Sequence, residues 1–289
     1  MARHTLRNVE FQAMCRHLRR DPRVRVGHPG DLRRFLHGVV YLVRTGIPWR
    51  DLPPRFGHWN SVFRRFRRWC RNGVWARLLA AVADARANLR RVHPDSSHVR
   101  SHVSAAGVPG GPEKQAQGRS RGGYGTQLHV LVDTAGRLLR VRLTPGQAGD
   151  APQAEPLLAG LRPGYVLADR ADDADDLRRF IVAQGAQPVI PGRRNRTVPI
   201  DYDRELYRER NIVERSIGWF KQCRRLATRF EKSASSYQGL VMFVAVHHWL
   251  QNPFAANVHT PIGLSSAFGC LSGRRPGAQI TCACPLPLF

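Results

Sequence analysis

Acidic residues are scarce in this chain: 21 Asp and Glu stand against 46 Lys and Arg, a formal net charge of +25 over 289 residues. That imbalance exceeds what solubility needs and points to a polyanionic partner. Long apolar runs are missing as well, and nothing approaches the roughly 18 residues of a membrane-spanning helix, so nucleic acid is expected rather than a membrane. The basic start, Met1 to Arg7, lacks the apolar stretch and small-residue cleavage site of a secretory signal, so a cytoplasmic location is expected. Cysteine is sparse: six residues, at 15, 70, 223, 270, 282 and 284, form no CxxC pair and read as reduced thiols. Zinc at the last three is only weakly signalled. No internal repeat occurs. What is present is a 42% hydrophobic share, enough for a real core.

From about residue 30 to 88 the apolar period is helical. Phe35, Leu36, Val39, Val40 and Val43 share one face of a helix ending near Thr45-Gly46. Pro48, Pro53, Pro54 and Gly57 punctuate a loop, and Ser61 is the expected cap of the next helix. In that helix Val62, Phe63, Phe66, Trp69 and Cys70 fall in one arc, with Arg64, Arg67, Arg68 and Arg71 opposite. Asn72-Gly73 ends it, and Val74, Trp75, Leu78 and Leu79 begin a third. From about residue 91 to 250 the pattern becomes mixed α/β. Residues 125–133 and 137–143 read as a hairpin, 151–161 as a helix, and Tyr165 to Ala168 as a buried strand ending at Asp169. Residues 177–184 read as a helix, Pro188 to Ile190 as a strand, and about 203–229 as one long helix. The Gly-rich segment 107–123 reads as a mobile loop, and beyond Leu250 little fixed structure is expected.

Chemistry concentrates in two places. On the predicted long helix, Tyr207, Arg210, Glu214 and Lys221 lie within about 60° of one another, beside an apolar stripe of Leu206, Val213, Ile217 and Phe220. Glu214 can therefore face a cleft; equally, Arg210 and Glu214 can be a plain surface i, i+4 ion pair. Asp169 ends an apolar strand, where catalytic groups of open α/β sheets collect, although a loop or helix-cap role fits too. The surroundings of Asp95, His93-Pro94-Asp95-Ser96-Ser97, read as turn chemistry, and spacing alone does not select it. His98 and His102 nearby read as solvent or DNA contacts rather than zinc ligands.

The stretch from Arg44-Thr45-Gly46-Ile47-Pro48-Trp49-Arg50-Asp51-Leu52-Pro53-Pro54 to Phe66, followed by Asn72-Gly73-Val74-Trp75, closely resembles the N-terminal region of bacterial insertion-sequence transposases. Residues 118–123, Leu143 to Gln147, Val189 to Pro191, and above all the Tyr207, Arg210, Glu214, Lys221 signature resemble motifs of the same DDE family, over about residues 1 to 250. The resemblance implies a ribonuclease-H-like α/β core, a mixed sheet flanked by helices, in which Asp95, Asp169 and Glu214 are catalytic and hold two Mg2+ ions, with Mn2+ as a substitute. It implies a DNA transposase that cleaves element ends and transfers strands, working on terminal inverted repeats and target DNA as a homodimer. Tyr207, Arg210 and Lys221 would hold DNA near the carboxylates, and Arg64, Arg67, Arg68 and Arg71 would grip the terminal repeat. The implied organisation is a helical, helix-turn-helix-like DNA-binding region over 1–88, a catalytic domain over 89–250, and an atypical tail over 251–289. Two rivals stay open: a nuclease of the same fold without strand transfer, and a decayed transposase that only binds DNA. Two departures from the family pattern stand out. Ala171-Asp172-Asp173 replaces the usual Gly-Tyr-Asp, and Pro94 replaces an apolar residue where a central strand would lose a ladder hydrogen bond.

Overall fold

Four helices open the chain, each set by an apolar stripe. The computed structural model describes residues 5–107 and 110–251. Helix α1 (Asn8–Arg20) buries Phe11, Met14, Cys15 and Leu18. Helix α2 (Pro29–Thr45) starts on a proline, whose fixed φ suits a first helical position, and stops at Gly46, whose left-handed φ of 78° glycine adopts without strain. Its buried residues include Phe35, Leu36, Val39, Val40 and Val43, as the spacing predicts. Helix α3 (Trp59–Arg71) buries Val62, Phe66 and Trp69, and helix α4 (Val74–Asp84) follows directly. Ser61 does not cap α3: the helix begins at Trp59, with His58 at the cap position and no side-chain bond. Starting earlier brings the Trp59 ring against the core, and that packing takes the place of a cap.

The second half is built on a mixed sheet. Strand β1 (Arg91–Ser101) runs through its middle, where the sequence reads as a turn. After the short helix α5 (Gly111–Lys114) come β2 (Gly118–Ser120), β3 (Gly123–Val132) and β4 (Leu138–Pro145), so the expected loop over 107–123 contains ordered elements among its described residues. Helix α6 (Ala151–Leu158), β5 (Tyr165–Leu167), α7 (Asp175–Ala183) and β6 (Gln187–Val189) follow close to expectation. The order β4-β3-β1-β5-β6 has antiparallel pairs on the β4 side and parallel pairs on the β6 side. This is the ribonuclease-H-like arrangement that the resemblance implies; β2 adds to the β3 edge.

Strand β1 becomes a strand because β3 pairs with it from His93 to Arg100, while β5 pairs on its other side at Arg91 and Val92. Its polar residues have little strand preference of their own, so long-range pairing decides. The paired span with β5 stops at Val92, short of Pro94, which cannot donate to a ladder.

The predicted long helix over 203–229 is divided into α8 (Arg204–Arg208), α9 (Asn211–Lys221) and α10 (Arg224–Ala227), then β7 (Thr228–Arg229) beside β1. At the first break Arg210 N–H donates to Tyr207 O, and Ile212 N–H to Glu209 O, a tighter i→i+3 pattern that apolar spacing does not reveal. The last helix, α11 (Ala234–Gln251), is apolar on every side and correspondingly buried. Phe243 meets Trp75 of α4 edge-on at 5.1 Å, and Trp249 Nε1 donates to Leu138 O at 2.7 Å. One hydrophobic cluster therefore joins the N-terminal helices, α11 and the sheet. Among the described residues no helix is long and apolar enough to cross a membrane. The tail after residue 251, with Cys270, Cys282 and Cys284, lies outside the described residues; Cys15, Cys70 and Cys223 are free thiols.

Candidate active site

Sheet register brings the first two carboxylates together. Val92 pairs with Val166 in parallel. Three residues beyond that pair stand Asp95, still within β1, and Asp169, just past the carboxyl end of β5. Asp169 Oδ1 accepts from the amides of Ala171 (2.7 Å) and Asp172 (3.2 Å), capping a 3-10 turn over Arg170–Asp172. The cap reading is thus realised, yet the other oxygen, Oδ2, remains free to face the cleft. Helix α9 delivers Glu214 in its first turn. Buried Val213 and Phe220 seat that helix, and Ser216 Oγ donates to Gly136 O at 2.7 Å in the β3–β4 turn.

The three carboxylates converge on one guanidinium. Arg210 Nη2 lies 3.1 Å from Asp95 Oδ1 and 3.7 Å from Asp169 Oδ2, while Nη1 lies 2.8 Å from Glu214 Oε1. The i, i+4 pair on the helix is therefore present, but as one contact of four charges gathered in a cleft. Asp95 and Arg210 are largely buried, whereas the Glu214 side chain is 61% exposed. Burial pushes the Asp95 carboxyl above its ordinary value; Arg210 and the Ser96 amide oppose this, and Asp169 and Glu214 add to it. Arg210 Nε is buried without a hydrogen-bond partner.

Two acids join this cleft unannounced by the sequence. Asp172 and Asp150 line a small depression with Asp95, Asp169 and His129. Burial, followed by the charges of Asp169, Asp150 and Asp95, pushes Asp172 up to about 7. The available signal was its position, where the family usually has tyrosine. Asp173 is also buried, but its oxygens accept from Arg178, Arg196 and the Arg193 amide, which outweigh burial and hold it at about 2. The acidic run after Asp169 is thus divided between an inward-facing acid and a loop clamp.

The other candidate residues group less tightly. Tyr207 stands edge-on to Tyr202, ring centroids 5.5 Å apart, and burial raises its phenol with Arg210 opposing and Asp169 adding. Lys221, two turns beyond Glu214, stands apart from the carboxylates and influences His98 on β1. The His102 ring packs at a tilt against Phe230, centroids 4.9 Å apart. Arg64, Arg67, Arg68 and Arg71 share a face of α3 and line a shallow depression of about 340 Å³ with Asn72.

As a cation seat the site fits by donor chemistry: three carboxylates, all hard oxygen donors, already surround a positive charge. As the side chains stand, no group of three His, Cys, Asp or Glu among the described residues is arranged to hold an ion. The seat is filled by Arg210.

The family model "Transposase DDE domain" matches residues 94–248, a span containing Asp95, Asp169 and Glu214. The chain belongs to the DDE transposase family. A second model, "Putative transposase of IS4/5 family", matches residues 6–79. Among the transposase relatives, one from Brucella ovis named for insertion sequence element IS6501 is 41% identical over 130 residues, 44% of this chain and 98% of that one. Another from Burkholderia cepacia, named for IS402, is 31% identical over 137 residues, 43% of this chain and 63% of that one. The solved structure of the Mos1 strand transfer complex aligns with 73% of this chain and 74% of its own at 14% identity, with a TM-score of 0.27, too distant a superposition to carry an argument. Membership of the DDE family makes this a phosphoryl-transfer enzyme fold and implies divalent metal ions.

Proposed function

We propose that this transposase cleaves DNA at the ends of an insertion sequence and joins the freed 3′-hydroxyls to target DNA, with Asp95, Asp169 and Glu214 holding two Mg2+ ions, or Mn2+ in their place. The observation that carries the reading is the convergence of those three carboxylates, from three separate elements, on the single cation Arg210. When bound, a pair of such ions would supply activation of the attacking oxygen and stabilisation of the leaving one. The chain's own residues prepare the place. Asp95 and Asp169 are fixed by the sheet, and Glu214 by the seating of α9 on the β3–β4 turn. Arg210 bridges all three and offsets part of their charge until it withdraws, and its guanidinium is then available to a backbone phosphate. Tyr207 and Lys221 extend the same phosphate-facing surface, and Arg64, Arg67, Arg68 and Arg71 grip the terminal inverted repeat.

In this reading residues 1–88 bind DNA and residues 89–250 carry the chemistry. Two copies pair the two ends, and the work takes place on cytoplasmic DNA. The test is cleavage and strand transfer on a duplex carrying a matched element end, with and without Mg2+. Asp95→Asn, Asp169→Asn and Glu214→Gln are each expected to reduce both products at least about a hundredfold, the upper end of the cost of losing even an outer supporting partner. Wild-type activity in any of them refutes the site. Cutting without joining would make the protein a nuclease, and end binding without metal-dependent products would make it a DNA-binding protein.

A further inference from the structure

The cleft has a second compartment beside the Arg210 contacts. A depression of about 20 Å³ is lined by Asp95, Asp150, Asp169, Asp172 and His129, and neither Arg210 nor Glu214 borders it. A space of that size admits one water-sized guest and excludes a base, a sugar or a phosphate. Asp172 is the telling group. It is 6% exposed and lines the depression, yet its carboxylate accepts no hydrogen bond and forms no ion pair among the described residues. Buried carboxylates are normally paired or coordinate a metal, so an unpartnered one facing a small space marks a place for a cation.

The backbone that presents Asp172 is fixed. Its amide donates to Asp169 Oδ1 at 3.2 Å, and its carbonyl accepts from the Ala174 amide at 2.8 Å. The guanidiniums nearest in the loop are already engaged, because Arg178 and Arg196 pair with Asp173. The acid is particular to this chain, standing where the family usually carries tyrosine. The rest of the lining adds oxygen donors. Gln127 Nε2 donates to Asp150 Oδ1 at 3.1 Å and to Ser96 Oγ at 3.0 Å, which steadies Asp150 and leaves its second oxygen open. His129 backs Asp150, with Nδ1 3.6 Å from Asp150 Oδ1 and Nε2 2.7 Å from Thr144 Oγ1, so both ring nitrogens are engaged. Carboxylates around one small space, with no lysine or arginine on its wall, suit a hard divalent ion such as Mg2+ or Mn2+.

We infer that Asp172 is a fourth carboxylate of the metal centre, joining Asp95 and Asp169 to seat one of the ions in this depression, with Asp150 in support. The inference rests on the metal-site reading above. The carboxylates do not yet converge on one point, so binding draws them inward.

The experiment titrates the full chain, without DNA, with Mn2+ as the probe, and follows free Mn2+ by its electron paramagnetic resonance signal. Asp172→Asn keeps the shape of the side chain and removes its charge. It is expected to weaken Mn2+ binding at least about tenfold, the lower end of the cost of losing even an outer partner of a metal ligand. Asp172→Ser, tested independently, should lose affinity to a similar degree. Thermal unfolding in metal-free buffer separates a ligand from a structural prop: with no partner to lose, Asp172→Asn should melt no lower than the wild type. Unchanged Mn2+ affinity in both Asp172 variants, with Asp169→Asn impaired, overturns the Asp172 assignment alone. A lower metal-free melting temperature for Asp172→Asn overturns it too, because Asp172 then supports the turn. Wild-type affinity in Asp169→Asn as well, or no Mn2+ binding by the wild type, overturns this inference together with the metal-site reading.

Discussion

Arg210 spends its charge on Asp95, Asp169 and Glu214 together, and this sets it in direct competition with any divalent ion those carboxylates would hold. Removing it has two opposed consequences. In metal-free buffer Arg210→Ala leaves three acids facing one another, and stability should fall by about 2 kcal/mol, less than the 3–5 typical of breaking a fully buried pair because Asp169 and Glu214 are partly open. With the competitor gone, affinity for Mg2+ should rise by roughly tenfold, about 1.4 kcal/mol. Thermal unfolding with and without Mg2+ checks both. The variant should begin with the lower melting temperature and gain more from the metal than the wild type does. A variant that is destabilised but gains no more than the wild type would show that Arg210 does not hold the cation seat.

At the scale of elements, the site depends on α9 being pressed against the β3–β4 turn. Gly136 makes that approach with φ of 76°, and a Cβ there would lie 2.6 Å from Ser216 Oγ and 3.0 Å from Ile212 Cγ2. Gly136→Ala therefore combines left-handed strain with overpacking and should cost about 2–4 kcal/mol, measured by urea unfolding. Because the clash is with α9, it should also shift Glu214 and lower end cleavage, and an unchanged midpoint would contradict the close approach. A second element contact joins the two ends of the described chain. Glu10 of α1 is buried beside His247 of α11; burial pushes its carboxyl up, but hydrogen bonds from His247 and from the Arg7 amide and guanidinium prevail and hold it at about 2 instead of 4.5. A depressed carboxylate stabilises the fold above its unfolded value and loses that contribution as pH falls from about 4.5 towards 2. Glu10→Gln should thus cost on the order of 3 kcal/mol at pH 7, with the gap from wild type narrowing by pH 3. A gap independent of pH would show that the Glu10 charge does not support the α1–α11 contact. The elements most legible in the sequence were those whose signal is local: α2, α3 and α4 from apolar period and glycine stops, and β3, β4, β5 and β6 from short apolar runs between turns. Strand β1 was not legible, because Pro94, Asp95, Ser96 and Ser97 are strand-forming only once β3 lies alongside them. The division of α8 from α9 was hidden for a related reason: apolar spacing fixes which residues face inward but not whether the backbone bonds run to the third or the fourth residue.

Over the whole molecule, the excess of 46 basic over 21 acidic residues was the plainest feature of the sequence, whereas its distribution needed the fold. Many arginines are spent internally. Arg137 is buried against Asp133, Arg225 against Glu231, and Arg229 donates to carbonyls around β7. The total charge therefore overstates what reaches a polyanion, and the number of phosphates engaged has to come from binding. Arg64, Arg68 and Arg71 on α3 are exposed, with no ion pair to any acid among the described residues, so their charge is available to DNA. If they touch phosphates, each releases about one condensed counterion, and the slope of log affinity against log salt counts them. For a duplex carrying the element end, titrated between about 50 and 200 mM salt, the wild type should show a steep negative slope. Arg64→Ala with Arg68→Ala should reduce that slope by roughly two while weakening specific and unrelated duplexes alike. Should the double variant keep the wild-type slope, the basic face of α3 is a solvated surface, and the counterions are displaced by arginines elsewhere on the molecule.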